Sequence, residues 1–228
     1  MVVNQKTVLY GTAIMTATIA RPRSRRETSK QTRRDAIVQV AAQYFIDHGY
    51  AGTTMSGIAC ALGGSKGTLW SYFPSKEELF VAVMDRLTKD FRDQISLILN
   101  PEHDLETALR RFCREFVAKV TSPEGIALYR LVASEANRFP EIGRIFHDRG
   151  PAVTQRELAG FLGKVMDSGL LRPHHEPIEA ARQLIGLCLL GSRPNLLIGL
   201  YDLVTPEQIN ADVDRAMDIF MRAYAVDA

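Results

Sequence analysis

The stretch TMSGIACALGGSKGTLWSY, residues 54–72, holds the side chains whose types and spacing best suit binding chemistry. Thr54 stands ahead of a short apolar stripe at helical spacing: Met55, Ile58, Ala59 and Leu62. Gly63 and Gly64 break that helix. Ser65 then offers an N-cap to a second short segment, Lys66 to Phe73, which Pro74 terminates. Leu69 and Phe73, four apart, predict its buried edge. Ser65, Lys66, Gly67, Thr68 and Ser71 are small or polar where a core helix is apolar. Small residues let a backbone approach DNA, and Ser, Thr and Lys donate to phosphates or base edges. Trp70 and Tyr72 fall on other faces, able to stack on sugars, touch a thymine methyl or donate to phosphate. In a helix, turn, helix unit the first helix braces and the second enters the major groove, which admits one helix. A plain helical hairpin with a glycine turn is the competing reading.

Charge favours the first reading. Residues 21–76 carry nine Lys or Arg (Arg21, Arg23, Arg25, Arg26, Lys30, Arg33, Arg34, Lys66 and Lys76) against three acids. Residues 77–228 carry 18 Lys or Arg against 23 acids. A basic N-terminal third on an acidic remainder predicts a polyanion-binding module joined to one that is not. A solvated basic tail is the bland alternative.

The elements that must position these residues read as all-α. Residues 21–32 are polar, basic and aperiodic, predicting a mobile arm. Thr32 can cap a first helix carrying Ile37, Ala41, Tyr44 and Phe45 on one face and ending at Gly49. Ser75 and Glu78 form a capping box opening a long helix with Leu79, Phe80, Val83, Leu87, Phe91, Ile95 and Ile98 in register, closed by Pro101. Further helices are predicted at 103–121, 124–137, 140–148, 151–168, 177–200 and 206–225, making about nine or ten in all. The domain division expected is a basic arm at 1–32, a helix-turn-helix unit at 33–75 and a helical bundle at 76–228.

Residues 33–80, with AIVQVAAQYFIDHGYAGTTM (36–55) and SKGTLWSYFPSKEELF (65–80), resemble the DNA-binding domain of the TetR family of bacterial transcriptional regulators. The resemblance implies a homodimer whose first three helices read a pseudo-palindromic operator, with a C-terminal ligand-binding and dimerisation bundle. It implies that Thr54 caps the second helix and contacts phosphate, and that Lys66, Thr68, Trp70, Ser71 and Tyr72 face DNA. Lys76 would reach phosphate from the fourth helix, and Ser65 and Arg33 join the candidate contacts. Residues 128–152 are similar to the AefR-like branch. Three positions depart from the family pattern. Gly57 stands in place of an acid that would complete a capping box with Thr54, Gly64 in place of an apolar turn residue, and Trp70 where Tyr is usual.

Nothing points to an enzyme: there is no H-E-x-x-H or Walker A run. Cys60, Cys113 and Cys188, three in number and far apart, read as small core residues in a reducing cytoplasm, and His174-His175-Glu176 as a loop. No cofactor or metal is expected. No membrane span is expected, because Ile178 to Leu200 contains Arg182, Arg193 and Pro194. Residues 1–20 make a poor signal peptide and read as an extension, with Met15 a candidate later initiator. Phe91, Phe112, Phe116, Tyr129 and Phe146 are candidates to line a cavity for an apolar or aromatic effector, with plain core as the alternative. No cluster of like charge marks that cavity in the sequence. The segment 178–200 is apolar on nearly every face, predicting burial by a partner subunit through Leu184, Leu187, Cys188 and Leu190, together with Gln155 to Met166. The long fourth helix is expected to be the only element touching both reader and bundle. A helical scaffold protein with a vestigial DNA reader, or a ligand-binding enzyme on a bundle, are the alternative functions.

Overall fold

The computed structural model describes residues 25–99, 104–173 and 176–226, with side chains placed from Thr28 onward. Residues 1–24, the extension and the first arginines of the arm, and His174-His175 lie outside the described residues. Among the described residues there are eleven helices and no strand, which gives the all-α class.

The first helix, α1 (Arg25–Gly52), begins two turns before the expected Thr32 cap. Thr32 is an interior residue: its hydroxyl donates to the Thr28 carbonyl, 3.0 Å away, as mid-helix threonines do. Gln31 bonded to Asp35 one turn on, at 2.8 Å, supports the same stretch. The arm expected over 21–32 is therefore helical from Arg25. Gly49 breaks the regular geometry of α1, with φ 70 and ψ 172, where the sequence places its end. Thr53 closes that kink, its hydroxyl donating to the Gly49 carbonyl at 2.6 Å.

The short helices α2 (Met55–Ala61) and α3 (Lys66–Tyr72) follow, joined by a turn in which Gly63 takes φ 61. The long α4 (Lys76–Ile98) starts on Ser75, whose hydroxyl accepts the Glu78 N–H at 3.0 Å. That bond is the Ser75 half of the expected box and is worth about 1 kcal/mol. Then come α5 (Leu105–Thr121), α6 (Pro123–Glu135), α7 (Pro140–Arg149) and α8 (Pro151–Asp167). The expected helix at 177–200 is two, α9 (Pro177–Leu189) and the single-turn α10 (Arg193–Leu197). The break serves buried Asp212, which accepts the Ser192 N–H at 2.7 Å and leaves no room for a side chain at Gly191. The last helix, α11 (Pro206–Tyr224), opens on a full capping box between Thr205 and Gln208.

Two apolar clusters hold the chain. The first joins Ile37, Ala41 and Phe45 of α1 to Ile58, Leu69, Leu79 and Phe80, and includes Leu131, Val132 and Ile142 from α6 and α7. The second packs the far half of α4 with α5, α8, α9 and α11. Packing is therefore continuous across residue 75, because the start of α4 belongs to the reader's own core. Leu184 and Cys188, expected at a partner interface, are wholly buried in the second cluster, so this chain covers them itself. Segment 178–200 looks apolar all round because one face serves that core and another is left outside. Leu190 and Ile198 lie on the outer face, 74% and 73% exposed, and Leu187 is half-buried between. Cys60 departs from the core reading too: it is exposed, while Cys113 and Cys188 are buried. The neighbouring Cys188, then burial, push the Cys113 thiol well up. No described helix is long and apolar enough to cross a membrane.

Candidate nucleic-acid interface

Leu69 and Phe73, each 2% exposed, fasten α3 to the first cluster. This pins the register of a helix of only seven residues and turns its other face outward. Ser65, Lys66, Thr68, Trp70 and Ser71 are all exposed, and Tyr72 is half-buried. Trp70 is 48% exposed, which no core requirement explains. Ser65 caps α3 by accepting the Thr68 N–H at 3.1 Å, and its hydroxyl sits 2.9 Å from that of Thr68. Ser71 donates to the Thr68 carbonyl at 2.7 Å. Lys66 makes no ion pair among the described residues and extends from the first position of α3, where the helix dipole also favours an anion. Thr54 is exposed and caps α2 by accepting the Gly57 N–H at 3.0 Å. A capped α2 and an outward polar α3, joined by a tight glycine turn, have the form of a helix-turn-helix.

Two of the family departures are explained by space. A Cβ at Gly57 would lie 2.3 Å from the Tyr44 hydroxyl, so the missing acid makes room for a tyrosine that stacks on His48. The Arg33 guanidinium occupies the place an apolar residue at 64 would take, 3.0 Å from an ideal Cβ there. Arg33 is thereby held beside the start of α3.

Lys76, expected to reach phosphate, has near partners within the protein. Its ammonium donates inward to the Tyr50 and Thr53 carbonyls, at 2.7 and 3.1 Å, and lies 4.2 Å over the Tyr50 ring. Burial lowers its pKa, opposed by the charges of Glu135 and Glu141. These bonds, to the end of α1 and the residue just beyond it, tie α4 to the reader in this structure. Tyr50 is itself enclosed by Phe45, Phe80 and Phe139, and burial, then Glu141 and Glu77, push its phenol up to about 12.

The expected lever has a companion. Glu135, at the end of α6, accepts the Tyr50 N–H at 2.8 Å and the Ala51 N–H at 2.6 Å. A side chain at Gly49 would collide with that carboxylate, only 2.4 Å from the ideal Cβ, and φ 70 there is itself unfavourable for other residues. So α4 is not the only element touching both reader and bundle; α6 reaches the reader directly. Glu135 lacked a local signal because its partners are 84 and 85 residues away.

Between the clusters lies a cavity of about 270 Å³ reached by every helix from α4 to α10. Phe91, Phe116, Tyr129 and Phe146 line it as expected of them, with Met84 and Leu128 at the reader end. Phe112 does not: it is fully buried behind the wall, stacked on Phe116 with centroids 6.0 Å apart. The wall also carries four cations and no acid: Arg92 on α4, Lys119 on α5, Arg149 on α7 and Arg193 on α10. Each comes from a different helix, so the sequence shows no cluster where the fold makes one.

Comparison with known proteins now decides the family. Residues 37–83 match the family model described as bacterial regulatory proteins, tetR family. Residues 107–226, more than half of the chain, match that of the AefR-like transcriptional repressor C-terminal domain. The chain belongs to the TetR family. As a member it is a transcriptional regulator and not an enzyme. The regulator RutR of Escherichia coli K12 is 31% identical over 121 residues, a match spanning 46% of this chain and 57% of RutR. A crystal structure of a TetR-family regulator from Mesorhizobium loti superposes with TM-score 0.76 at 26% identity, covering 90% of this chain and all of that one. The flavonoid-responsive regulator FrrA superposes with TM-score 0.72 at 31% identity, covering 87% of this chain and all of FrrA.

Proposed function

We propose that this protein is a cytoplasmic, ligand-responsive transcriptional repressor that binds a pseudo-palindromic operator as a homodimer. The observation that carries the reading is α3. It is a core-anchored helix that turns Ser65, Lys66, Thr68, Trp70 and Ser71 outward, with no helix over them among the described residues. Lys66 and the caps of α2 and α3 take phosphate, while Thr68 and Trp70 take base edges and sugars. A dimer sets two such helices about 34–36 Å apart, one helical turn of DNA, or somewhat more on a long operator. Bound DNA is then denied to the transcription machinery.

The dimer face in this reading is the outer side of α9 to α11, which leaves Leu190, Ile198, Leu200, Leu203 and Ile219 between 53% and 74% exposed. Exposed apolar area so concentrated marks an interface. An open groove of about 430 Å³ runs there beside Leu187 and Tyr201. The effector occupies the cavity between the clusters. Filling it moves α4 and α6 together, since Phe91 and Leu128 line it and both helices grip the end of α1. The response of FrrA to a flavonoid supports a small organic effector for this chain as well. Footprinting on the DNA upstream of its own gene tests the reading. Two protected half-sites one turn or more apart are expected; protection at no position would refute it.

A further inference from the structure

Arg193 is the unusual member of the cavity wall. Its guanidinium carbon lies 4.2 Å over the Tyr129 ring, and its Nε is buried with no hydrogen-bond partner among the described residues. A buried donor on a charged group is costly to leave unmade. Burial lowers its pKa from the ordinary arginine value, yet arginine stays charged at neutral pH. Arg149 spends its charge on the Asp85 carboxylate at 3.0 Å, and Arg92 donates to the Asp85 carbonyl at 3.4 Å without an ion pair among the described residues. Lys119 and Arg193 make no ion pair among the described residues. The cavity therefore has an excess of positive charge that the protein does not neutralise. The N-terminus of α8 adds to it: Gly150, Pro151 and Thr154 line the cavity, and Gly150 supplies no side-chain cap.

The rest of the wall is aromatic and aliphatic, so the charge serves one end of a ligand and not its whole length. At about 270 Å³ the cavity falls just below the roughly 300–1,000 Å³ typical of ligand pockets, which suits a small ligand. A polyphosphate would leave most of this wall unmatched. We propose that the cavity takes a small amphipathic organic anion, a carboxylate on an aromatic or alkyl body, with Arg193 binding the carboxylate and Phe91, Phe116 and Phe146 enclosing the body. A guanidinium already placed over the Tyr129 ring is partly preorganised for a two-point contact with a carboxylate. This deepens the repressor reading and rests on it for the consequence of binding.

The test uses 2-naphthoate and its uncharged counterpart 2-naphthamide, titrated into the full-length protein by calorimetry. The acid is expected to bind roughly tenfold or more tightly than the amide, a preference that shrinks as salt rises. Arg193→Met should remove most of that preference while changing amide affinity by no more than about twofold, and Arg193→Lys should retain part of it. Thermal melting checks that both variants fold. Equal affinity for acid and amide, or no binding of the acid, overturns the anion assignment. The same preparations are tested on upstream DNA. Failure there with the acid preference intact would count against the repressor reading and leave the anion site standing.

Discussion

Lys66 and Lys76 are the same residue type ten positions apart, and the structure gives them opposite work. Lys66 projects from α3 without an ion-pair partner among the described residues, while Lys76 bridges the Tyr50 and Thr53 carbonyls. Lys66→Ala should weaken binding to all DNA sequences and flatten the salt slope by about one unit, the share of one phosphate. Lys76→Ala should leave that slope unchanged and lower stability by about 1–2 kcal/mol, measured by urea unfolding, because two carbonyls lose a charged donor. Tyr50 makes a second prediction. Its phenol titrates near 12 in the fold and near 10 when unfolded, so the folded state favours the neutral form. That contribution is intact below pH 10 and is lost as pH rises from about 10 to 12. Unfolding free energy should fall across that window by about 1–2 kcal/mol more in the wild type than in Tyr50→Phe. Equal slopes would mean the phenol is not held neutral by its surroundings.

At the scale of elements, the message between cavity and reader has two carriers. α4 runs through both clusters, and α6 holds the end of α1 through Glu135. Glu135→Gln keeps the shape but leaves one acceptor oxygen for two N–H groups, with the amide nitrogen facing the other. Operator affinity without ligand should change little, while the ligand-induced change, typically 5–150-fold in coupled systems, should shrink severalfold. An unaltered response would leave α4 as the sole carrier. The helices themselves were legible because each carries its own stripe and stop: Ser75 and Pro101 bound α4, and Leu69 with Phe73 fix the inner edge of α3. What stayed illegible depends on contacts across long separations. The first turns of α1 are too polar for a stripe, the α9 break answers to Asp212, and the inward turn of Lys76 answers to Tyr50 and Phe139.

For the whole molecule, the outer face of α9 to α11 and the α3 face must be used together, because one operator needs two readers at fixed spacing. Leu190→Asp or Ile219→Asp places charge in the proposed dimer face at residues 74% and 53% exposed, so the monomer fold should survive. Sedimentation should show dissociation, with operator affinity falling by roughly 100-fold or more as the second half-site contact is lost. An intact dimer in both variants would move the interface elsewhere. The candidate DNA residues were readable from sequence because α3 is one continuous stretch, whereas the cavity cations arrive from four helices. Sequence reading by α3 is tested most directly by fluorescence anisotropy with upstream DNA and a scrambled duplex at several salt concentrations. Thr68→Ala and Trp70→Ala should each lose about 1–3 kcal/mol on the upstream site and little on the scrambled one, narrowing the difference between the two. If wild-type protein binds both duplexes alike, or if both variants lose affinity equally for each, α3 is not the reader.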